Sequence, residues 1–176
     1  MRSEQKGFSL IELLIVVAII LIIAAIAIPN LLRAKIAANQ ASAVGSLRTI
    51  SSAEEIFSAT YSDGFTLALA QLSDVPGVAS CVSAKLIDEV LSTAPNQKSG
   101  YAFTFTPNGT PQLTAGVPAA CGASGDTGFS ISATPVTQNS TGTTSHCIDE
   151  TGVVRVNAAG FLIPPPCSTS GFPPLQ

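Results

Sequence analysis

The chain has 176 residues, 46% of them hydrophobic and 11% charged, with a formal net charge of −3 and a pI near 4.9. That balance excludes a basic nucleic-acid footprint, which needs Lys and Arg gathered on one face; after Arg48 the only basic side chains are Lys85, Lys98 and Arg155. Beyond an apolar segment near the start, about 145 residues remain, enough for one domain with its own core and hardly for two.

Residues 1–7 form a short charged leader holding Arg2, Glu4 and Lys6. From Phe8 to Ile28 the chain is apolar except for small or hydroxyl residues and one carboxylate, Glu12. At 1.5 Å per residue this run would be roughly 31 Å long as a helix, enough to cross a hydrocarbon core of about 30 Å. An ionisable group in such a span costs roughly 2.5–3.5 kcal/mol on insertion scales and should have a cationic partner. Cutting between Gly7 and Phe8 would free an amine four residues before Glu12, where helix neighbours face each other. That amine could answer Glu12 of the same subunit or of a neighbour.

The stretch KGFSLIELLIVVAIILIIAAIAIPN resembles the N-terminal signature of the type IV pilin and pseudopilin family. The resemblance implies cleavage after Gly7 by an inner-membrane prepilin peptidase, methylation of the new N-terminus at Phe8, and pairing of Glu12 with the terminal amine of an adjacent subunit. Pro29 matches the family's helix-kinking proline. Further implied partners are other copies in a helical homopolymer and an inner-membrane assembly platform with its ATPase. The precursor is expected in the bacterial inner membrane and the product in a cell-surface filament. The close resemblance runs from Lys6 to about Tyr61; beyond that only the architecture is similar. A secretory signal peptide, with Ala25-Ile26-Ala27 as its cleavage site, competes for the same residues, but this run exceeds the usual 7–15 residue core, and Glu12 would serve no purpose in a discarded segment. A generic single-span anchor agrees with the length as well.

Charge does not orient the span, because Arg2 and Lys6 before it face Arg33 and Lys35 after it. Cysteine does: Cys81, Cys121, Cys147 and Cys167 all follow the span and lack metal-ligand spacing, which suits an oxidising compartment. The head is therefore expected outside the cytoplasm. Without the leader the formal charge becomes −4, and a surface so poor in charge is consistent with packing against copies of itself.

Past Pro29, which removes a backbone hydrogen bond and should kink or loosen the helix, the pattern stays helical. Ile36, Ala43, Leu47, Ile50, Phe57 and Tyr61 form one apolar stripe interrupted by Gln40 and Glu54. Arg33, Asn39, Ser42, Ser46, Thr49 and Ser52 are assigned to the opposite, solvated face. Small residues are dense from Ala34 to Ser46 and would allow close helix approach. Gly64 supplies the stop. A helix from Ser9 to Tyr61 would be roughly 80 Å long, of which a compact head could cover only the C-terminal half.

Period-two alternation marks half-buried strands at Tyr101–Thr106 and Phe129–Thr134. Two more follow at Ser145–Asp149 and Val153–Asn157, joined through Gly152. The expected fold is α+β: a long N-terminal helix on an antiparallel sheet of about four strands, with a short helix near Leu86–Leu91 and loop over most of Gly64–Ser80. Its divisions are 1–7 (leader), 8–29 (span), 30–62 (amphipathic helix) and 63–176 (head). Pro107–Gly128 either hides a strand near Gln112–Val117 or is a loop held by Cys121. Sequence alone allows three cysteine pairings. The segment CIDETGVVRV also resembles the C-terminal strand-turn-strand of pilin-like proteins, and that resemblance favours Cys147 with Cys167 and, by remainder, Cys81 with Cys121. The Pro-rich end from Pro164 cannot form a central strand.

No catalytic constellation is legible, and neither cofactor nor metal is expected. His146, the only histidine, has no nominated nucleophile or orienting acid and reads as structural or solvent-exposed. Asp126, Asp149 and Glu150 could contribute to a calcium site but are more simply turn residues. Asn108-Gly109-Thr110 and Asn139-Ser140-Thr141 match a glycosylation sequon that arises readily by chance here. The expected function is a structural pilus subunit. The alternatives are a type II secretion pseudopilin and a membrane-anchored binding module.

Overall fold

The computed structural model describes residues 8–61, 64–74, 76–111 and 125–175. The chain divides into two compact units, one ending at Lys35 and one beginning at Ile36. A single helix, α1, is assigned from Leu10 to Tyr61 with Pro29 inside it.

In the first unit, every described residue up to Lys35 is exposed except Ala24, which is intermediate. Leu10, Ile11, Ile22 and Ile26 are each more than 60% open. A helix apolar on all sides is stable only where something apolar surrounds it. By length and composition, α1 is a helix that can cross a membrane.

In the second unit, the buried stripe of α1 is Ala43, Ser46, Leu47, Ile50, Ser51, Ala53, Glu54 and Phe57. These residues recur at three- and four-residue steps, the period of one helical face. The expected anchors Leu47, Ile50 and Phe57 are there, but Ser46 sits on the covered side, not the solvated one. Asn39 and Ser42 of the supposedly open face are also engaged, as is Gln40 of the stripe. Asn39 Nδ2 donates to the Thr141 carbonyl at 2.9 Å, Gln40 Nε2 to Thr143 Oγ1 at 2.7 Å, and the Ser42 and Ser99 hydroxyls lie 2.9 Å apart. Loop residues were invisible to a helical-wheel argument, which sees only the helix.

Among the described residues the sheet has five antiparallel strands in sequential order, against about four expected: β1 Gln97–Lys98, β2 Tyr101–Pro107, β3 Phe129–Pro135, β4 Ser145–Asp149 and β5 Arg155–Asn157. The extra strand, β1, is two residues long, too short to carry a periodic signal. Register puts Phe105 opposite Ile131 and Ile131 opposite Ile148, so one face is a continuous apolar surface. Tyr101, Phe129, Ile131 and Ile148 of that face share a core with Leu47, Ile50 and Phe57 of the helix.

The opposite face is where expectation fails. Residues Phe129 to Ala133 of β3 and all of β4 are buried, so these strands are covered on both sides, not half-buried. The cover is the C-terminal tail. Ser132 Oγ donates to the Ile163 carbonyl at 2.9 Å, Ser145 Oγ donates to the Phe161 carbonyl, and Cys147 is disulfide-bonded to Cys167. Cys147, Ile163 and Cys167 form a second small core with Phe172 against it. The tail then runs beside β5, with Val156 N donating to the Pro173 carbonyl at 3.0 Å and Leu175 N to the Val154 carbonyl at 2.8 Å. β5 therefore starts at Arg155, not at Val153.

Between helix and sheet, α2 is Glu89–Ser92, later than expected, because Asp88 caps it by accepting from Leu91 N at 2.9 Å. Leu86 and Ile87 instead donate their amides to the Leu72 carbonyl. Leu69–Leu72 forms a short 3₁₀ turn within the stretch expected to be loop. Gly64, at φ +80, is the left-handed residue after the helix, and a side chain there would come within 2.5 Å of the Asp126 carbonyl oxygen. Pairing continues past β2 and β3 as far as Pro111 with Asp126, while Gln112–Val117 and Cys121 lie outside the described residues.

Candidate functional site

The start of α1 is built by the Glu12 side chain and the Ser9 backbone. Ser9 precedes the first helical residue, and its backbone N–H donates to Glu12 Oε2 at 3.0 Å. In return, the amides of Glu12 and Leu13 donate to the Ser9 carbonyl at 3.1 and 3.3 Å. This is half of a capping box: an acidic residue three positions into the helix satisfies an otherwise orphaned amide, and the positive end of the helix dipole favours its charge. The Ser9-x-x-Glu12 spacing carried that signal, and reading Glu12 only as a misplaced charge passed over it.

The cap uses one carboxylate oxygen. Glu12 Oε1 has no partner among the described residues, and Glu12 itself is exposed. Phe8 is 82% open, and Gly7 lies outside the described residues. A free amine at Phe8 would stand one helical turn from Glu12, next to the orphan amides. The arrangement therefore presents an exposed carboxylate at the start of α1, on a stretch that is itself exposed.

The family model described as "Prokaryotic N-terminal methylation motif" matches residues 2–28, which span Gly7, Phe8 and Glu12. The amino terminus is thus similar to a prokaryotic N-terminal methylation motif. The chain is also 46% identical over 56 residues to the type IV major pilin protein PilA of Myxococcus xanthus, covering 32% of this chain and 26% of that protein. It is 67% identical over 36 residues to the type IV wide pilus major component PilA4 of Thermus thermophilus, covering 20% of this chain and 28% of that one. The chain thus spans about a quarter of the length of each of these two relatives. No solved structure matches the chain.

Pro29 directly follows the matched residues, inside α1, and the other sequence-selected residues lie far from the motif in the chain. Cys147 and Cys167 are joined, with Cα atoms 5.9 Å apart. Cys81 is buried and disulfide-bonded, and its expected partner Cys121 lies outside the described residues. Asp149 is buried and committed locally: Oδ2 accepts from Ser168 N at 2.7 Å, and Oδ1 from Thr151 N at 3.2 Å and Thr151 Oγ1 at 2.5 Å. It pins both the β4–β5 turn and the tail. Asp126 is also buried, while Glu150 is exposed.

His146 lies on the helix-facing side of the sheet, 3% exposed, with Nε2 3.1 Å from Thr144 Oγ1 and Nδ1 without a partner. Burial pushes it below its usual 6.5, so it is held neutral. Sequence reasoning missed that Glu54, read as an interruption of the stripe, is a third buried acid. Glu54 has no solvent contact; its Oε1 accepts from Thr66 Oγ1 at 2.6 Å and Oε2 from Thr66 N at 2.9 Å. Burial raises this carboxyl to about 7 against the two Thr66 hydrogen bonds, which favour the charged form.

Proposed function

We propose that the chain is a structural subunit of a type IV pilus, a pilin that is processed between Gly7 and Phe8 and assembles through its N-terminal helix. The observation that carries this reading is that the first part of α1, apolar on all sides as far as Ile28 and exposed but for Ala24, matches a methylation motif and holds one carboxylate a turn inside. Residues 1–7 are then the leader, 8–29 the filament-core half of the helix kinked near Pro29, 30–62 its amphipathic half and 63–176 the head. The membrane holds the subunit until packing against other copies replaces lipid around residues such as Leu10, Ile11 and Ile22.

Glu12 makes that exchange selective. Once buried among helices, its charge is tolerable only when paired, and losing one member of a buried pair costs about 3–5 kcal/mol. A terminal ammonium at Phe8 of an adjacent copy supplies the partner and sets axial register. The reading requires a prepilin peptidase, an assembly platform with its ATPase, and passage from the inner membrane to the cell surface.

Mass spectrometry of the mature N-terminus tests it. Methylated Phe8 supports a pilin, an intact Met1 supports a membrane anchor, and Ile28 as first residue supports a secreted protein. Glu12→Ala should be processed normally yet fail to form filaments in electron micrographs; wild-type filament yield from that variant would refute the role of Glu12.

A further inference from the structure

Arg33 and Lys35 follow the apolar run closely, and both are exposed. Neither belongs to an ion pair among the described residues, where the pairs are Lys85 with Asp74 and Lys98 with Asp88. The chain offers them no acid nearby: between Glu12 and Glu54 it contains no Asp or Glu, and the helix neighbours three and four residues away are Pro29, Asn30, Ile36 and Ala37 for Arg33, and Leu31, Leu32, Ala38 and Asn39 for Lys35. On their own helix, then, neither cation has an acid placed to pair with it.

We infer that Arg33 and Lys35 bind the phosphates of anionic phospholipids around the exit of the span, holding the unassembled subunit in its membrane. This rests on the membrane-spanning reading above. Depth supports it. At 1.5 Å per residue, Arg33 and Lys35 stand roughly 8 and 10 Å beyond Ile28. The polar layer of a leaflet adds about 5–7 Å to the hydrocarbon core, and flexible Lys and Arg stems reach back to it. Direction supports it too. Two positions on an α-helix are about 200° apart, so the side chains leave on nearly opposite sides. One flat protein surface meets only one of them, whereas lipid encircles the helix and meets both. Charge also agrees, because anionic headgroups attract basic residues at the membrane surface.

The consequence is a lipid-dependent retention step. A subunit leaving for a filament must surrender these phosphate contacts, so anionic lipid content sets how readily it departs. The attraction is about fivefold per basic side chain at low ionic strength and falls as salt screens it.

The test uses the full chain in phosphatidylcholine vesicles containing a minor fraction of phosphatidylglycerol. Electron paramagnetic resonance of spin-labelled lipids reads which headgroup is motionally restricted by the protein. Wild type should restrict phosphatidylglycerol over phosphatidylcholine. Arg33→Gln with Lys35→Gln should remove a several-fold part of that preference, and Arg2→Gln with Lys6→Gln should leave that part in place. Preference unchanged in the Arg33/Lys35 double variant overturns the proposal. So does self-association in pure phosphatidylcholine that this double variant abolishes, because the partner is then an acidic surface of a second copy. Alkaline carbonate washing separates the two levels: a chain that washes off refutes the spanning reading and the proposal with it, whereas one that stays without lipid preference refutes the proposal alone.

Discussion

Glu54 spends both carboxylate oxygens on Thr66, twelve residues later in the chain, and so ties the last turns of α1 to the segment that leaves it. Its carboxyl, ordinarily near 4.5, is raised to about 7 by burial. The folded state therefore holds this proton more tightly than the unfolded chain. Its contribution to stability is complete below about pH 4.5 and is lost as pH rises through 7, a swing of about 3 kcal/mol. His146 acts in the opposite sense: lowered by burial, it contributes stability above 6.5 that is lost as pH falls. The wild-type profile mixes the two, so the variant decides. Glu54→Gln should remove a decline of roughly 6–12 °C in Tm between pH 4.5 and 7.5, measured by thermal circular dichroism, and an unchanged slope would show that Glu54 is charged when folded. Glu12 was legible in the sequence because a carboxylate among isoleucines has no bland explanation. Glu54 was not, because it sits among Ser, Ala and a second glutamate, and only the fold brings Thr66 to it.

At the scale of elements, the head is helix, sheet and strap. The helix and the aromatic strands could be read directly: Tyr101, Phe103 and Phe105 alternate with small or hydroxyl residues, and the stripe through Leu47, Ile50 and Phe57 needed such a surface. The strap could not. Ser130, Ser132 and Ser145 look like the wet side of a strand, yet they are buried because their hydroxyls meet tail carbonyls or the second core. Polar alternation shows that a face can bond to water, not that water reaches it. Replacing Cys147 and Cys167 by Ser should therefore release a cover, not merely open a loop. Closing a loop with a sequence separation of 20 is worth about 3 kcal/mol in the chain-entropy model. Hydrogen exchange should then speed up at the amides of β4 and of Val156 and Leu175, with α1 less affected; uniform acceleration would mean that the tail is not a separable layer. Phe57→Ala, which leaves a hole between helix and sheet, should cost about 3–5 kcal/mol by denaturant titration.

For the whole molecule, the division at Lys35 and Ile36 separates a unit with no buried residue among the described ones from a unit with its own core. A chain beginning at Ile36 should fold alone and unfold cooperatively, with circular dichroism and tyrosine fluorescence transitions coinciding; a broad or split transition would show that the first unit contributes to the fold. The sequence marked a change from unbroken apolarity to a one-sided stripe but placed it at 29/30, six residues before this division. It did not announce where the chain would end its own sheet.

That ending governs how copies can meet. A strand with bare amides and carbonyls along its rim invites any other strand to extend it, the route by which β proteins clump. Here the rim of β5 is already occupied by residues 173–175, and the far rim is a two-residue stub bearing Lys98. With both margins of the sheet closed or blunted, a crowded population of heads is discouraged from zipping together sideways, as the proposed assembly through the apolar helix requires.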